Sequence, residues 1–137
     1  MPTLHVTRVG EVEAFKADGA TNHILLRLGT FGSQNLLITW TTVAPRGHMR
    51  THSHPGSEQV YVVLSGMARM QVGEEREILS TGALVYVPPG ATHGIGNAGR
   101  DELVYLTAAS PPFPVERYFA ETEPSQGEAT EPIEVLE

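Results

Sequence analysis

The sequence predicts an all-β domain, an antiparallel sandwich or barrel, on three observations. Short runs rich in β-branched and aromatic residues recur along the chain, Gly and Pro stand between them, and apolar residues at helical spacing are hard to find. The runs begin with ILLRL (24–28) and LLITWTTV (36–43). QVYVVLS (59–65) follows and ends at Gly66, where freedom in φ suits a tight turn. MARMQV (67–72) and EREILS (75–80), separated around Gly73 and followed by Gly82, read as a hairpin. ALVYVP (83–88) runs into the turn Pro88-Pro89-Gly90, and ELVYLTA (102–108) closes the series.

At 137 residues, with 40% apolar and 18% charged residues, the chain has the size and composition of one globular domain, which we place at residues 1–119. Residues 120–137 differ: they hold six Glu among Pro, Ser and Gly with no Lys or Arg, and read as an acidic, flexible tail. The formal charge of −7 therefore sits mostly in that tail, because residues 1–119 carry ten acids against nine bases. A nearly neutral body without a basic stripe speaks against nucleic acid as a partner. No apolar run approaches the ~20 residues of a membrane span, and MPTLHVTRVGE lacks the layout of a signal peptide, so no membrane partner and a cytoplasmic location are expected. The chain has no cysteine, so a metal here must be bound by imidazole, carboxylate, amide or water.

Imidazole is concentrated in GHMRTHSHPGSEQ (47–59), which contains His48, His52 and His54. His52 and His54 are two apart and would leave the same face of a strand, close enough to share a cation. Glu58 and Gln59 are adjacent, so a regular strand sends only one of them into a barrel. Arg50 has the parity of His52 and His54, which would aim its guanidinium into the same cavity as a clamp for a substrate carboxylate; a rim arginine paired with a surface acid is the other reading. His48 reads as a mouth or surface residue. Tyr61 shares the face of Gln59 and is a candidate hydrogen-bond donor or general acid, or else core filler. His5 and His23 have no partner at useful spacing and read as ordinary polar residues. Trp40, Met49, Met70 and Tyr105 read as packing. Gly94, Gly96 and Gly99 match a dinucleotide-binding spacing, but with no helix to follow they read as turn residues. Ser53, Ser57 and Ser65 lie in no nucleophile elbow.

Two stretches carry a resemblance to a known family. Gly47…His52-Ser-His54…Glu58-Gln59…Gly66 (47–66) resembles the first cupin motif, and Gly82…Pro88-Pro-Gly90-Ala-Thr-His93…Asn97 (82–97) resembles the second. The resemblance implies a double-stranded β-helix, or jelly-roll cupin barrel. It also implies one divalent transition metal (Mn, Fe, Ni, Co, Cu or Zn) held by His52, His54, His93 and an oxygen donor from the first motif. Six residues separate Gln59 from Gly66, which favours Gln59 as that donor, with Glu58 as the alternative. The function implied is a metal-dependent enzyme, of dioxygenase or isomerase/lyase type, acting on a small oxygenated or enolisable organic acid or a sugar-derived molecule. Arg50, Tyr61 and Glu58 are the candidate catalytic residues. The alternative is a non-catalytic binding or sensing module for a small molecule. A homodimer is expected, with LHVTRV (4–9) offering a strand edge for it.

Overall fold

In the computed structural model, residues 2–48 and 50–115 are described. The nine strands are β1 (Ala14–Ala17), β2 (Ala20–Leu26), β3 (Leu37–Val43), β4 (Glu58–Ser65), β5 (Met67–Val72), β6 (Glu75–Ser80), β7 (Leu84–Val87), β8 (His93–Asn97) and β9 (Leu103–Ser110). They form two antiparallel sheets, a six-stranded one in the order β1-β2-β3-β9-β4-β7 and a three-stranded one in the order β6-β5-β8. Helix is confined to single turns among the described elements, at Val9–Glu11 and Thr30–Gly32. The expected all-β jelly-roll barrel is what the chain builds, and all seven predicted strands are present, two with the expected bounds and five within four residues at their ends.

Two strands escaped the pattern. AFKA of β1 is short, and its pairing depends on the turn Asp18-Gly19, where both residues have positive φ (56° and 82°). Asp-Gly is the dipeptide that a two-residue hairpin turn of this kind selects. HGIGN of β8 contains two glycines, which we read as turn residues; Gly94 and Gly96 are instead buried mid-strand. A Cβ on Gly96 would meet the Cβ of His48 at 3.2 Å, so glycine is what lets the segment carrying His48 lie against β8. LHVTRV also departs from expectation: residues 4–8 belong to no strand, and Thr7 donates its hydroxyl to the Leu25 carbonyl at 3.0 Å.

Alternation decides what each sheet buries. On β3 the residues Leu37, Thr39, Thr41 and Val43 face inward, and on β9 Leu103, Tyr105, Thr107 and Ala109 do the same. Val63, Ala68, Met70 and Ile95 complete the core from β4, β5 and β8. A second apolar cluster, Ile24, Leu37, Ala109 and Val115 with Phe15 and Phe113 against it, closes one end of the barrel. Asn97 ties the strands together at the other end. Its amide donates to the carbonyls of Val43 and Asp101, both at 2.9 Å, and its side-chain oxygen accepts from the Gly99 amide at 2.8 Å.

Candidate metal centre

The segment between β3 and β4 is not a continuous strand. It touches β8 through two isolated bridges, His48 with Gly96 and His52 with His93. At the second bridge the amide of each histidine donates to the carbonyl of the other at 2.9 Å. Two side chains far apart in sequence thereby become cross-strand neighbours, with ring centroids 4.4 Å apart. His54 follows two residues on, its ring 4.8 Å from that of His52 and 5.2 Å from that of His93. Nitrogens of all three rings lie within 4.8 Å of one another, a group that could hold a metal ion.

Backbone carbonyls fix two of the rings. Nδ1 of His52 donates to the Arg50 carbonyl at 2.8 Å and Nδ1 of His93 to the Ala91 carbonyl at 3.0 Å. A carbonyl only accepts, so the proton of each neutral ring sits on Nδ1 and the lone pair on Nε2. Nε2 of His93 is buried without a hydrogen-bond partner among the described residues, and so is Oε1 of Gln59. Two orphaned acceptors beside a histidine cluster fit a cation, which would supply the missing partner for both. His54 is steadied differently, its ring lying flat on that of Phe113 at 3.9 Å and 14°.

Burial keeps the cluster neutral. Desolvation, followed by the proximity of His93, lowers the His52 pKa to about 4. The same desolvation, with His52 and His93 nearby, lowers His54 to about 3, and desolvation also lowers His93. At neutral pH all three imidazoles are therefore unprotonated, the state a metal requires. Tyr61 points into the same space, edge-on to His93 at 5.8 Å, and burial raises its pKa well above the usual value. It stays a phenol and can donate a proton but not accept one.

The cavity at this site is small, about 30 Å³, and His52, His54, Gln59 and Tyr61 line it. Asn22, Thr39, Thr41 and Thr107 continue the lining as a neutral polar wall across the same sheet as Tyr61, in which Thr107 is the cross-strand neighbour of both Thr39 and Tyr61, Thr41 donates to Asn22 at 2.7 Å and the Thr39 and Thr107 hydroxyls meet at 2.6 Å. Phe113 and Val115 close it from the segment after β9, which Ser57 latches by donating its hydroxyl to the Pro111 carbonyl at 2.7 Å. Sequence reading missed both the wall and the lid. Thr39 and Thr41, two apart among inward-facing apolar residues, were a legible signal for the first; PPFP carries none for the second.

Two candidate residues are placed elsewhere. Glu58 is exposed on the outer face of β4 and accepts a hydrogen bond from the Tyr86 hydroxyl at 2.8 Å. The one-residue offset from the buried Gln59 puts its carboxylate on the far side of the sheet, so neither a proton-transfer role nor metal ligation fits it. Arg50 does not line the cavity; its Nε lies 4.0 Å from Asp18 Oδ2 in the β1–β2 turn. Pairing with an acid is the second of the two readings open for Arg50, and the segment around it is not a regular strand, so alternation does not set its direction. What Arg50 gives the cluster is its carbonyl. His5 stacks on Phe31 at 4.5 Å, and His23 sits on the outer face of β2 opposite Trp40, both away from the centre.

Residues 39–109 match the family model described as a cupin domain. A curated relative, uncharacterized protein SCO3923 of Streptomyces coelicolor, is 33% identical over 107 residues, covering 77% of this chain and 94% of that protein. Another, uncharacterized protein MJ1618 of Methanocaldococcus jannaschii, is 34% identical over 62 residues, 45% of this chain, which spans 50% of its length. Among solved structures, KdgF from a Halomonas species superposes with a TM-score of 0.70 at 19% identity, covering 83% of this chain and 99% of that one. The oxalate decarboxylase of Bacillus subtilis, described with Mn(II) centres, gives a TM-score of 0.71 at 25% identity over 78% of this chain and 30% of that one. Strand order, the placement of both histidine motifs and a family match over half its length agree: the chain belongs to the cupin family.

Proposed function

We propose that this protein is a metal-dependent enzyme acting on a small oxygenated molecule, with His52, His54, His93 and Gln59 as metal ligands. The observation that carries the reading is the pair of buried, unpartnered acceptors, His93 Nε2 and Gln59 Oε1, beside two further neutral imidazoles. A divalent ion there would act as a Lewis acid toward substrate oxygens, and three imidazoles with one amide leave it at full positive charge. Gln59 is neutral and Arg50 lies outside, so the cavity lining contains no Arg or Lys. An anionic substrate would find its compensating charge only at the ion.

The chain's own residues supply the rest. Tyr61, held as a phenol, donates a proton to a substrate oxygen or carbanionic carbon. Thr39, Thr41, Thr107 and Asn22 offer donors and acceptors to hydroxyl or carbonyl groups. Phe113 excludes water. The balance of groups, a phenol that can give up a proton and no carboxylate base in the lining, favours decarboxylation, in which CO2 leaves and a proton is delivered to the carbanion left behind. The likeness to oxalate decarboxylase, a protein described with Mn(II), supports that class and that ion.

The lack of a carboxylate in the lining also favours a second reading, a binding or sensing module that holds a metal-anchored ligand without turnover. The experiment is elemental analysis of untagged protein, wild type against His54→Ala, followed by product analysis on small keto and hydroxy acids with Tyr61→Phe alongside. One metal per chain, lost in His54→Ala, with turnover that Tyr61→Phe reduces about 100-fold, is the expected result. Metal with ligand binding but no turnover would establish the module. A protein that neither contains nor takes up metal would overturn both.

A further inference from the structure

A fully closed barrel has no free strand edge. This one is open along one side: β6 ends the three-stranded sheet, β7 ends the six-stranded one, and no ladder joins the two among the described residues. Between them lies a cleft of about 310 Å³, at the low end of the ~300–1,000 Å³ of small-molecule sites. Its floor is apolar, because Met70 belongs to the core and Val72, Leu79 and Val85 pack directly against it. Register sets carboxylates beside that floor. Ala68, Met70 and Val72 face the core from β5, and their partners on β6 are Leu79, Glu77 and Glu75. Cross-strand partners share a face, so both glutamates leave β6 on the inward side, whereas Arg76 and Ile78 leave it outward. Neither Glu75 nor Glu77 has a hydrogen-bond or ion-pair partner among the described residues. An inward charge keeps an edge strand from pairing with another sheet, but a single charge does that. Two, about 6.8 Å apart along one face, border the same apolar cleft.

We propose that this cleft binds a small organic cation, a primary ammonium carried on an aliphatic body. The body lies on the apolar floor and loses its contact with water there. The ammonium has three protons to donate, and both carboxylates can converge on it. The open edges of β6 and β7 offer main-chain carbonyls as further acceptors. An anion of the same shape would meet two carboxylates, so charge decides which sign of ligand enters. Arg76 also lines the rim, and two carboxylates against one guanidinium leave the lining with a net charge of −1. The lining shares no residue with the metal cavity, so this is a separate site. Two floor residues are nevertheless cross-strand neighbours of residues at the centre, Val72 of His93 and Val85 of Tyr61. An occupant of the cleft therefore sits one side chain away from the histidine cluster.

Amide chemical shifts of the full chain, followed by nuclear magnetic resonance, test this with n-hexylammonium and, at the same ionic strength, n-hexanoate. The ammonium should move the amides of residues 75–79 and 84–87 to saturation, and hexanoate should not. Glu75 and Glu77 are exposed, so that Glu75→Gln with Glu77→Gln keeps the fold, and this pair of changes should weaken ammonium binding about tenfold. Arg76→Gln should tighten it by removing the opposing charge. Ile78→Gln, on the outward face of the same strand, should leave it unchanged. Equal shifts from hexanoate, or ammonium binding that the double glutamine variant leaves at wild-type strength, overturns the proposal. A titration in which the ammonium moves only amides outside β6 and β7 does the same.

Discussion

The pH response of the metal-free protein follows from its buried imidazoles. In the unfolded chain imidazole titrates near pH 6.5, whereas folded His52 titrates at about 4 and His54 at about 3. Between those values the unfolded chain binds protons that the folded chain refuses, so stability is highest above pH 6.5 and falls as the pH drops toward 4 and then 3. Urea midpoints should therefore be lower at about pH 5 than at about pH 7, and His54→Gln should flatten the difference. A midpoint that rises on acidification would contradict the burial assigned to these rings. Gly66 offers a sharper test. Its φ is +88°, and an added Cβ would meet the Glu102 carbonyl oxygen at 2.6 Å, so Gly66→Ala should cost about 2–4 kcal/mol by combining backbone strain with a clash. Gly73 has φ +61° and open space around it, so Gly73→Ala should cost only about 1 kcal/mol. Asn97→Ala strands the carbonyls of Val43 and Asp101 and should cost about 2–4 kcal/mol in thermal or chemical unfolding.

Among the elements, those with strong alternation were readable and those shaped by contact were not. β3, β4 and β9 announce themselves because inward positions repeat every second residue, and the β5–β6 hairpin because glycines bracket it. β8 was hidden, since its glycines are there for the close approach of His48 and not for strand propensity. The histidine cluster was legible as a spacing, and Gln59 as the inward member of its pair; the placement of Arg50 depended on how an irregular segment runs, which alternation does not encode. The lid after β9 was likewise invisible, because its latch is a hydroxyl meeting a carbonyl and its anchor a stacked ring. Unlike the sheet residues that line the cavity, it is held by no strand ladder. Phe113→Ala should therefore speed the removal of bound Co(II) by a chelator at least tenfold, followed by absorbance, with Ser57→Ala giving a smaller effect in the same direction. Equal rates in all three proteins would show that exchange does not pass this way.

For the molecule as a whole, the two sheets divide the work. The large sheet supplies Gln59, Tyr61 and the threonine wall from residues that also form its core, while the small sheet supplies His93 and, through the bridge to β8, holds His52. The centre thus straddles the two layers, and anything that separates the layers dissolves it. Metal binding should accordingly raise the unfolding temperature in step with metal concentration, and His93→Ala should abolish that dependence while leaving a folded protein. The two latches on the imidazoles have a different kind of importance. Arg50 and Ala91 hold the rings through main-chain oxygens, and a main-chain oxygen is present whichever amino acid stands there. The aim of two ligands is thereby written into the path of the chain and shielded from change in the genes that encode it. Descendants of this protein can exchange residues at positions 50 and 91, and with them the surroundings that select a substrate, while inheriting the same grip on the same ion.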